Sequence, residues 1–153
     1  MKILLTGSTG YLGQFVLDKL IEKEHHVKCL VRNLQKIPKN ISGLVEWIAG
    51  DTTDPTSIQD QLADCDVVVN LVAIIDENKR KNITFEKVNF EATKNLIDAA
   101  KSQGVKRFIH MSALGADVNG ATAYFRTKGK AEQAVISSGL NYTIFRPSFI
   151  FGY

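Results

Sequence analysis

The segment Thr6-Gly7-Ser8-Thr9-Gly10-Tyr11-Leu12-Gly13 constrains this chain more than any other. It joins a short apolar run, Lys2–Thr6, of strand length to Gly13–Lys23, a stretch of helical period. Glycine tolerates positive φ, so Gly7 can make the tight turn out of the strand. Gly10 leaves room for a ligand to approach the backbone, and Gly13 lets the helix pack close to the sheet. Free N–H groups and a partial positive charge at the start of the helix then suit a phosphate. Thr9, Tyr11 and Leu12 lie in the same turn and are expected beside the bound group. Glycine-rich turns also occur for packing alone, but strand, glycine turn and helix in this order form the setting of a dinucleotide site.

The rest of the chain repeats the strand–helix alternation. His26–Val31, Val45–Ala49, Val67–Leu71, Arg107–Met111 and Tyr142–Arg146 read as strands. The first helix is expected to turn Phe15, Val16, Leu20 and Ile21 inward. Asp54-Pro55 pairs an N-cap with proline at the first helical position and opens a short helix. Thr84–Gln103 is a long helix with Val88, Leu96, Ile97 and Ala100 on its apolar side, stopped by Gly104; Tyr124–Ser138 is another, ending at Gly139. Val67–Leu71 is almost wholly apolar, as a central parallel strand covered on both faces should be. The pattern predicts an α/β domain with a doubly wound parallel sheet, strand order 3-2-1-4-5-6, occupying residues 1–153 as one unit.

Composition removes several function classes. Of 153 residues, 23% are charged and the formal charge is +3, without the basic stripe that a nucleic-acid or membrane-surface protein would need. No segment is long and apolar enough to span a membrane. Cys29 and Cys65 lie in apolar stretches without metal-ligand spacing, and read as buried, reduced thiols. Met1 leads straight into the first strand without a signal-peptide core, which gives a cytoplasmic expectation.

The glycines fall three apart, and this spacing is similar to the Thr-Gly-x-Thr-Gly-x-x-Gly of extended and atypical short-chain dehydrogenases. Further motifs resemble that family. Gly50-Asp51 stands where its acidic residue meets the adenine, and Asn70-Leu71-Val72-Ala73 matches its cofactor-lining turn. Val88-Asn89 matches its helix asparagine, Tyr124-Phe125-Arg126-Thr127-Lys128 its Tyr-x-x-x-Lys, and Arg146-Pro147-Ser148 with Phe151-Gly152 its segment near the nicotinamide. His110-Met111-Ser112-Ala113-Leu114-Gly115-Ala116 is similar to the branch containing the nucleotide-binding accessory subunit of respiratory complex I and its bacterial relatives. Family members continue into a further strand and a small substrate-binding lobe, so the resemblance implies a cofactor domain truncated relative to the family. It also implies a Rossmann-type fold and cofactor contacts from Gly7, Thr9, Gly10, Tyr11, Leu12, Gly13, Asp51, Leu71, Val72, Ala73, Asn89, Lys128 and Pro147.

The end of the second strand bears on the choice of cofactor. An acidic residue there accepts hydrogen bonds from the adenosine ribose hydroxyls of NAD(H). This chain has Arg32, whose guanidinium can instead bind a 2′-phosphate, with Lys36 near enough in sequence to assist. NADP(H) is favoured and NAD(H) stays open, as does the reading of Arg32 as a solvated surface residue.

For catalysis, Tyr124 and Lys128 are four apart and share a helix face. The resemblance implies a tyrosine acting as general acid/base on a carbonyl or alcohol, with the lysine lowering its pKa and holding the nicotinamide ribose. The family's catalytic hydroxyl falls at Ala113, so Ser112, one residue early and expected on the opposite face, is the nearby substitute. An oxidoreductase or epimerase-like enzyme and a non-catalytic NADP(H)-holding accessory, assembly or regulatory protein both fit, with an unknown small-molecule substrate in the first case and a protein partner or homo-oligomer in the second. His25-His26 reads as surface and His110 as packed. The charged stretch Asp76–Lys81 follows the fourth strand at the ligand-binding edge, as a solvated loop or a mobile substrate or partner loop.

Overall fold

The computed structural model describes residues 1–37 and 43–152, apart from the Lys36 side chain. Six parallel strands, β1 (Lys2–Thr6), β2 (His26–Val31), β3 (Val45–Ala49), β4 (Val67–Asn70), β5 (Arg107–Met111) and β6 (Asn141–Phe145), form one sheet. Their order is β3-β2-β1-β4-β5-β6, as the alternation predicts. Because β1 pairs with both β2 and β4, the chain reverses its direction of growth beside β1. Ligands bind at such a switch point, beyond the carboxyl ends of the strands.

Both sheet faces are covered, and successive residues of each strand divide between them. Ile3, Leu5, Val27, Cys29, Val67 and Val69 pack with Leu17 of α1 (Tyr11–Glu22). Leu4, Leu30, Val68 and Phe108 face the other layer, which contributes Ile58 of α2 (Pro55–Ile58), Leu96 and Ala100 of α3 (Ala92–Ser102) and Val135 of α4 (Ala123–Ile136). Double coverage is why the central strands carry so few polar positions. Both cysteines are buried and free.

Local signals set most helix ends. The Asp54 side chain accepts from Thr56 N at 3.0 Å and Pro55 opens α2, while Thr122 accepts from Phe125 N at 3.2 Å to open α4. Gly104 (φ 72°) and Gly139 (φ 80°) follow α3 and α4 in the left-handed conformation that glycine favours.

Two expectations need correction. Phe15 does not face inward: it is 53% exposed and meets the Tyr11 ring edge-on at 5.7 Å between centroids. Leu17 takes the buried place, because the inward stripe includes Gly13 and Leu17, four apart, and Phe15, two from each, falls on the far side. The long helix is also not uniform. Glu86–Glu91 forms π-helical turns before α3 begins at Ala92, so its periodicity is not that of one α-helix. Among the described residues, no helix is long and apolar enough to cross a membrane.

Candidate functional site

A cleft of about 440 Å³ opens at the carboxyl ends of β1 to β4. Gly7, Thr9 and Gly10 line it after β1, Arg32 after β2, Gly50 to Thr53 after β3, and Leu71, Val72, Ala73 and Ile74 after β4. Eight of the residues singled out in the sequence (Gly7, Thr9, Gly10, Arg32, Asp51, Leu71, Val72 and Ala73) thus meet in one concavity. Tyr11, Leu12, Gly13, Asn89, Ser112, Tyr124, Lys128 and Pro147 are not among its lining residues.

Each glycine of the turn has a different physical requirement. Gly7 has φ 77°, and its carbonyl accepts from Gly10 N at 3.0 Å, closing the turn. A Cβ on Gly13 would stand 1.9 Å from the Gly7 carbonyl oxygen, so the first turn of α1 packs directly on the loop. A Cβ on Gly10 would meet a single protein atom within 4 Å, the Gly7 oxygen at 3.2 Å. The protein's own packing therefore asks less of Gly10, which lines the cleft, than of Gly13. Gly10 is also the N-cap of α1, and no side chain caps that helix. The exposed end of α1 suits an anion, so the turn fits the pyrophosphate of a dinucleotide.

Asp51 is held in place. Its Oδ1 accepts from Thr53 N at 2.9 Å and from Thr53 Oγ1 at 2.8 Å, and its own N–H donates to Ser57 Oγ at 3.0 Å. Arg32 is exposed, with no hydrogen bond or ion pair among the described residues. The Lys36 side chain, the expected assistant, lies outside the described residues.

Behind the cleft, polar side chains run across three strand ends. Thr6, Asn70 and His110 are in register on β1, β4 and β5. Thr6 Oγ1 donates to Asn70 Oδ1 at 2.8 Å, Asn70 Nδ2 donates to Thr93 Oγ1 at 3.1 Å, and Asn70 Nδ2 lies 3.3 Å from His110 Nδ1. Asn70 Oδ1 also accepts from Val72 N at 3.2 Å, which anchors the turn after β4. Asn89, buried in the π-helical segment, accepts from Ile74 N at 2.8 Å and donates to Ile74 O at 3.2 Å. It shapes the cleft wall through backbone. Burial, followed by the nearby Lys128 charge, depresses the His110 pKa to about 3.

Tyr124 and Lys128 occupy successive turns of α4. Lys128 is 1% exposed and its Nζ donates to Met111 O at 2.6 Å. Burial pushes its pKa down to about 8, with Glu132 acting in the opposite direction. Tyr124 packs edge-on against Phe85 and Phe125, and burial raises its pKa. Ser112 is buried, and its hydroxyl has no hydrogen-bond partner among the described residues. Pro147 O accepts from Leu114 N at 2.8 Å, tying the loop after β5 to the segment after β6. Arg146 makes a two-pronged pair with buried Glu132, through Nε at 2.8 Å and through Nη2.

The structure adds residues that the sequence does not point to. Thr53, Lys81 and Lys87 line the cleft. The charge run at 76–81 was a visible signal for Lys81, but which of its residues turns inward was not. A Cβ on Gly129 would come within 2.4 Å of Asp117 backbone, so this mid-helix glycine admits the loop that precedes α4. Among the described residues, no group of three or more His, Cys, Asp and Glu could hold a metal.

A family model described as NAD(P)H-binding matches residues 7–151. Photosystem II assembly factor Ycf39 of Cyanophora paradoxa is 33% identical over 150 residues, covering 95% of this chain and 44% of that protein. The 40 kDa subunit of NADH-ubiquinone oxidoreductase from Neurospora crassa is 32% identical, with 96% of this chain and 40% of that protein covered. Among solved structures, a nucleoside-diphosphate-sugar epimerase from Staphylococcus aureus superposes with TM-score 0.80 and 28% identity, over 95% of this chain and 50% of that one. This chain spans less than half the length of the two curated relatives. It belongs to the NAD(P)H-binding domain family, in the atypical short-chain dehydrogenase and epimerase-type branch that includes the complex I accessory subunits.

Proposed function

We propose that this chain is an NADP(H)-holding domain, selective for the phosphorylated cofactor, of an oxidoreductase or epimerase-like protein acting on a carbonyl or alcohol. The observation that carries the cofactor choice is Arg32. Among the described residues it has no partner, and it stands just after β2 on the rim of the cleft, where a carboxylate would favour NAD(H) instead. A charge-assisted bond from a guanidinium to the 2′-phosphate is worth roughly 1.5–3 kcal/mol, or about tenfold to 150-fold in affinity.

When bound, the cofactor supplies or accepts a hydride. The chain's own part is to receive the pyrophosphate on the turn Gly7–Gly13, to seat the adenine between Asp51 and Ala73, and to manage a proton. Tyr124 is the group assigned to that proton. Its raised pKa keeps it protonated at neutral pH, ready to donate, and it needs a nearby cation to accept a proton back. Lys128, one turn away, is the cation we assign to that task; its Nζ donates to Met111 O and burial alone shifts Tyr124, so the lysine serves the phenol only by leaving that carbonyl.

A second reading is a non-catalytic NADP(H)-holding accessory or assembly protein. Ala113 favours it, since it removes the hydroxyl that would polarise a substrate carbonyl, as do the names of the two curated relatives.

Fluorescence titration with NADPH and NADH tests the cofactor choice. NADPH should bind at least about tenfold more tightly, and Arg32→Asp should reverse the order while the fold persists. Equal affinities in the parent protein would overturn the role of Arg32. The two functional readings separate on NADPH oxidation with a panel of aldehydes, ketones and quinones. The enzyme reading requires a rate that Tyr124→Phe removes at nearly unchanged NADPH affinity. Tight binding without turnover, unaltered by Ala113→Ser, favours the accessory reading.

A further inference from the structure

The wall of the cleft away from the glycine turn carries positive charge of its own. Lys81 and Lys87 line it, on and just after a segment whose charge pattern suggests a solvated or mobile loop. The segment is instead held by hydrogen bonds. Asn78 and Ile83 exchange two of them through their backbones, Asn78 N to Ile83 O at 2.8 Å and Ile83 N to Asn78 O at 3.0 Å. Between them Lys79–Lys81 forms a 3₁₀ turn, the Asn78 side chain accepts from Lys81 N at 3.2 Å, and Asn82 completes the turn at φ 54°. Phe85 N donates to Glu77 Oε1 at 2.8 Å, fastening the base of the loop to the following helical segment. The point at which Lys81 leaves the backbone is thereby set, and Lys87 follows in the π-helical segment, its N–H donating to Thr84 Oγ1 at 3.2 Å.

Neither lysine has an ion pair or a side-chain hydrogen bond among the described residues. Their neighbours do: Lys79 stands 3.9 Å from Glu77, and Lys130 pairs with Glu86 at 2.8 Å. Arg32, on the same cleft, is likewise unpaired. Asp51, the carboxylate of that lining, already accepts two hydrogen bonds from Thr53 through Oδ1. Among the described lining residues, three cations outnumber one carboxylate, which gives a net positive field suited to a multiply charged anion. The pyrophosphate already has its place at the glycine turn, which leaves the adenosine end for these charges.

We propose that Lys81 and Lys87 form the second jaw of a phosphate clamp whose first jaw is Arg32, and that together they hold the 2′-phosphomonoester that distinguishes NADP(H) from NAD(H). The proposal rests on the NADP(H) reading above. The side chains suit the division of labour. The forked guanidinium fixes orientation, and the two ammonium groups, with rotatable donors on flexible stems, close onto the remaining oxygens.

The test uses calorimetric titration of the full chain with 2′,5′-ADP and with 5′-AMP. These probes differ by the 2′-phosphate alone, and neither carries nicotinamide. The parent protein should prefer 2′,5′-ADP. The double variant Lys81→Met, Lys87→Met should lose roughly fivefold or more in affinity for 2′,5′-ADP and less than about twofold for 5′-AMP. Its 2′,5′-ADP affinity should also fall less steeply with added salt than the parent's. Circular dichroism should show nearly the same melting curve for both proteins, since Lys81 is exposed and the half-buried Lys87 has no side-chain partner among the described residues. Equal losses for the two probes would mean that the lysines serve the 5′-phosphate, and no loss would mean that they serve neither; either result overturns the clamp. A parent protein that does not discriminate between the probes overturns the NADP(H) reading and the clamp together. A discriminating parent with an unaffected double variant overturns the clamp alone.

Discussion

Replacing Gly13 and Gly10 in turn with alanine separates what the fold needs from what the ligand needs. At Gly13 the new Cβ would lie 1.9 Å from Gly7 O and 2.8 Å from both Gly7 C and Ser8 Cα. All three are backbone atoms, so no side chain can rotate away, and α1 must withdraw from the loop by about 1.5 Å to restore ordinary contact. Overpacking of this kind costs about 3 kcal/mol, and the better helix propensity of alanine returns about 1 kcal/mol. The net loss of about 2 kcal/mol corresponds to a Tm lower by about 4–8 °C in a domain of this length. At Gly10 the Cβ meets one oxygen at 3.2 Å with the backbone at φ −80°, so the chain can relax and Tm should stay within about 2 °C of the parent. The cofactor response should show the reverse order. NADPH at a hundredfold excess over Kd stabilises the parent by about 2.7 kcal/mol, and a tenfold weaker Gly10→Ala site would retain about half of that. Differential scanning fluorimetry with and without NADPH measures both quantities. A Gly13→Ala protein that melts with the parent would refute the packing argument. A Gly10→Ala protein with the full NADPH response would refute the assignment of its vacant space to the ligand.

Two further outcomes follow from the buried polar groups. The folded-state pKa of Lys128 is lowered from 10.5 to about 8, so the unfolded chain binds more protons between those values and stability should rise with pH across that window. Comparing denaturant unfolding of the parent with Lys128→Met from about pH 8 to 10 should reveal an extra slope in the parent, positive and at most about 1.4 kcal/mol per pH unit. Matching slopes would show that Lys128 is not held in a desolvated site. Asn89→Ala should cost about 1–3 kcal/mol in the same assay, because it strips hydrogen bonds from both backbone groups of Ile74. It should also weaken NADPH binding by loosening the wall after β4; an unchanged Kd would separate Asn89 from the cleft.

What the sequence determined by itself is what a few neighbouring residues can encode. The period of the apolar residues, the Asp54-Pro55 start and the glycines at 104 and 139 act within one or two turns of chain, and they sufficed for the six strands and their order. The glycine turn is equally local: the positive φ of Gly7 and its contact with Gly13 both arise within seven residues. Tertiary structure decided whatever depends on segments far apart in the chain. Thr6 meets Asn70 across 64 residues and Asn70 meets His110 across 40, so their network exists only once the sheet register is set. Lys128 finds the Met111 carbonyl because α4 lies over β5, a contact that no spacing rule within a helix contains. Phe15 turned outward because packing on the sheet chose the stripe of Gly13 and Leu17, which leaves Phe15 on the opposite side of α1. Composition showed a charged stretch at 76–81 but not its direction. The Asn78–Ile83 bridge and the left-handed Asn82 carry Lys81 to the cleft, and only the packed chain brings it to the same concavity as Arg32.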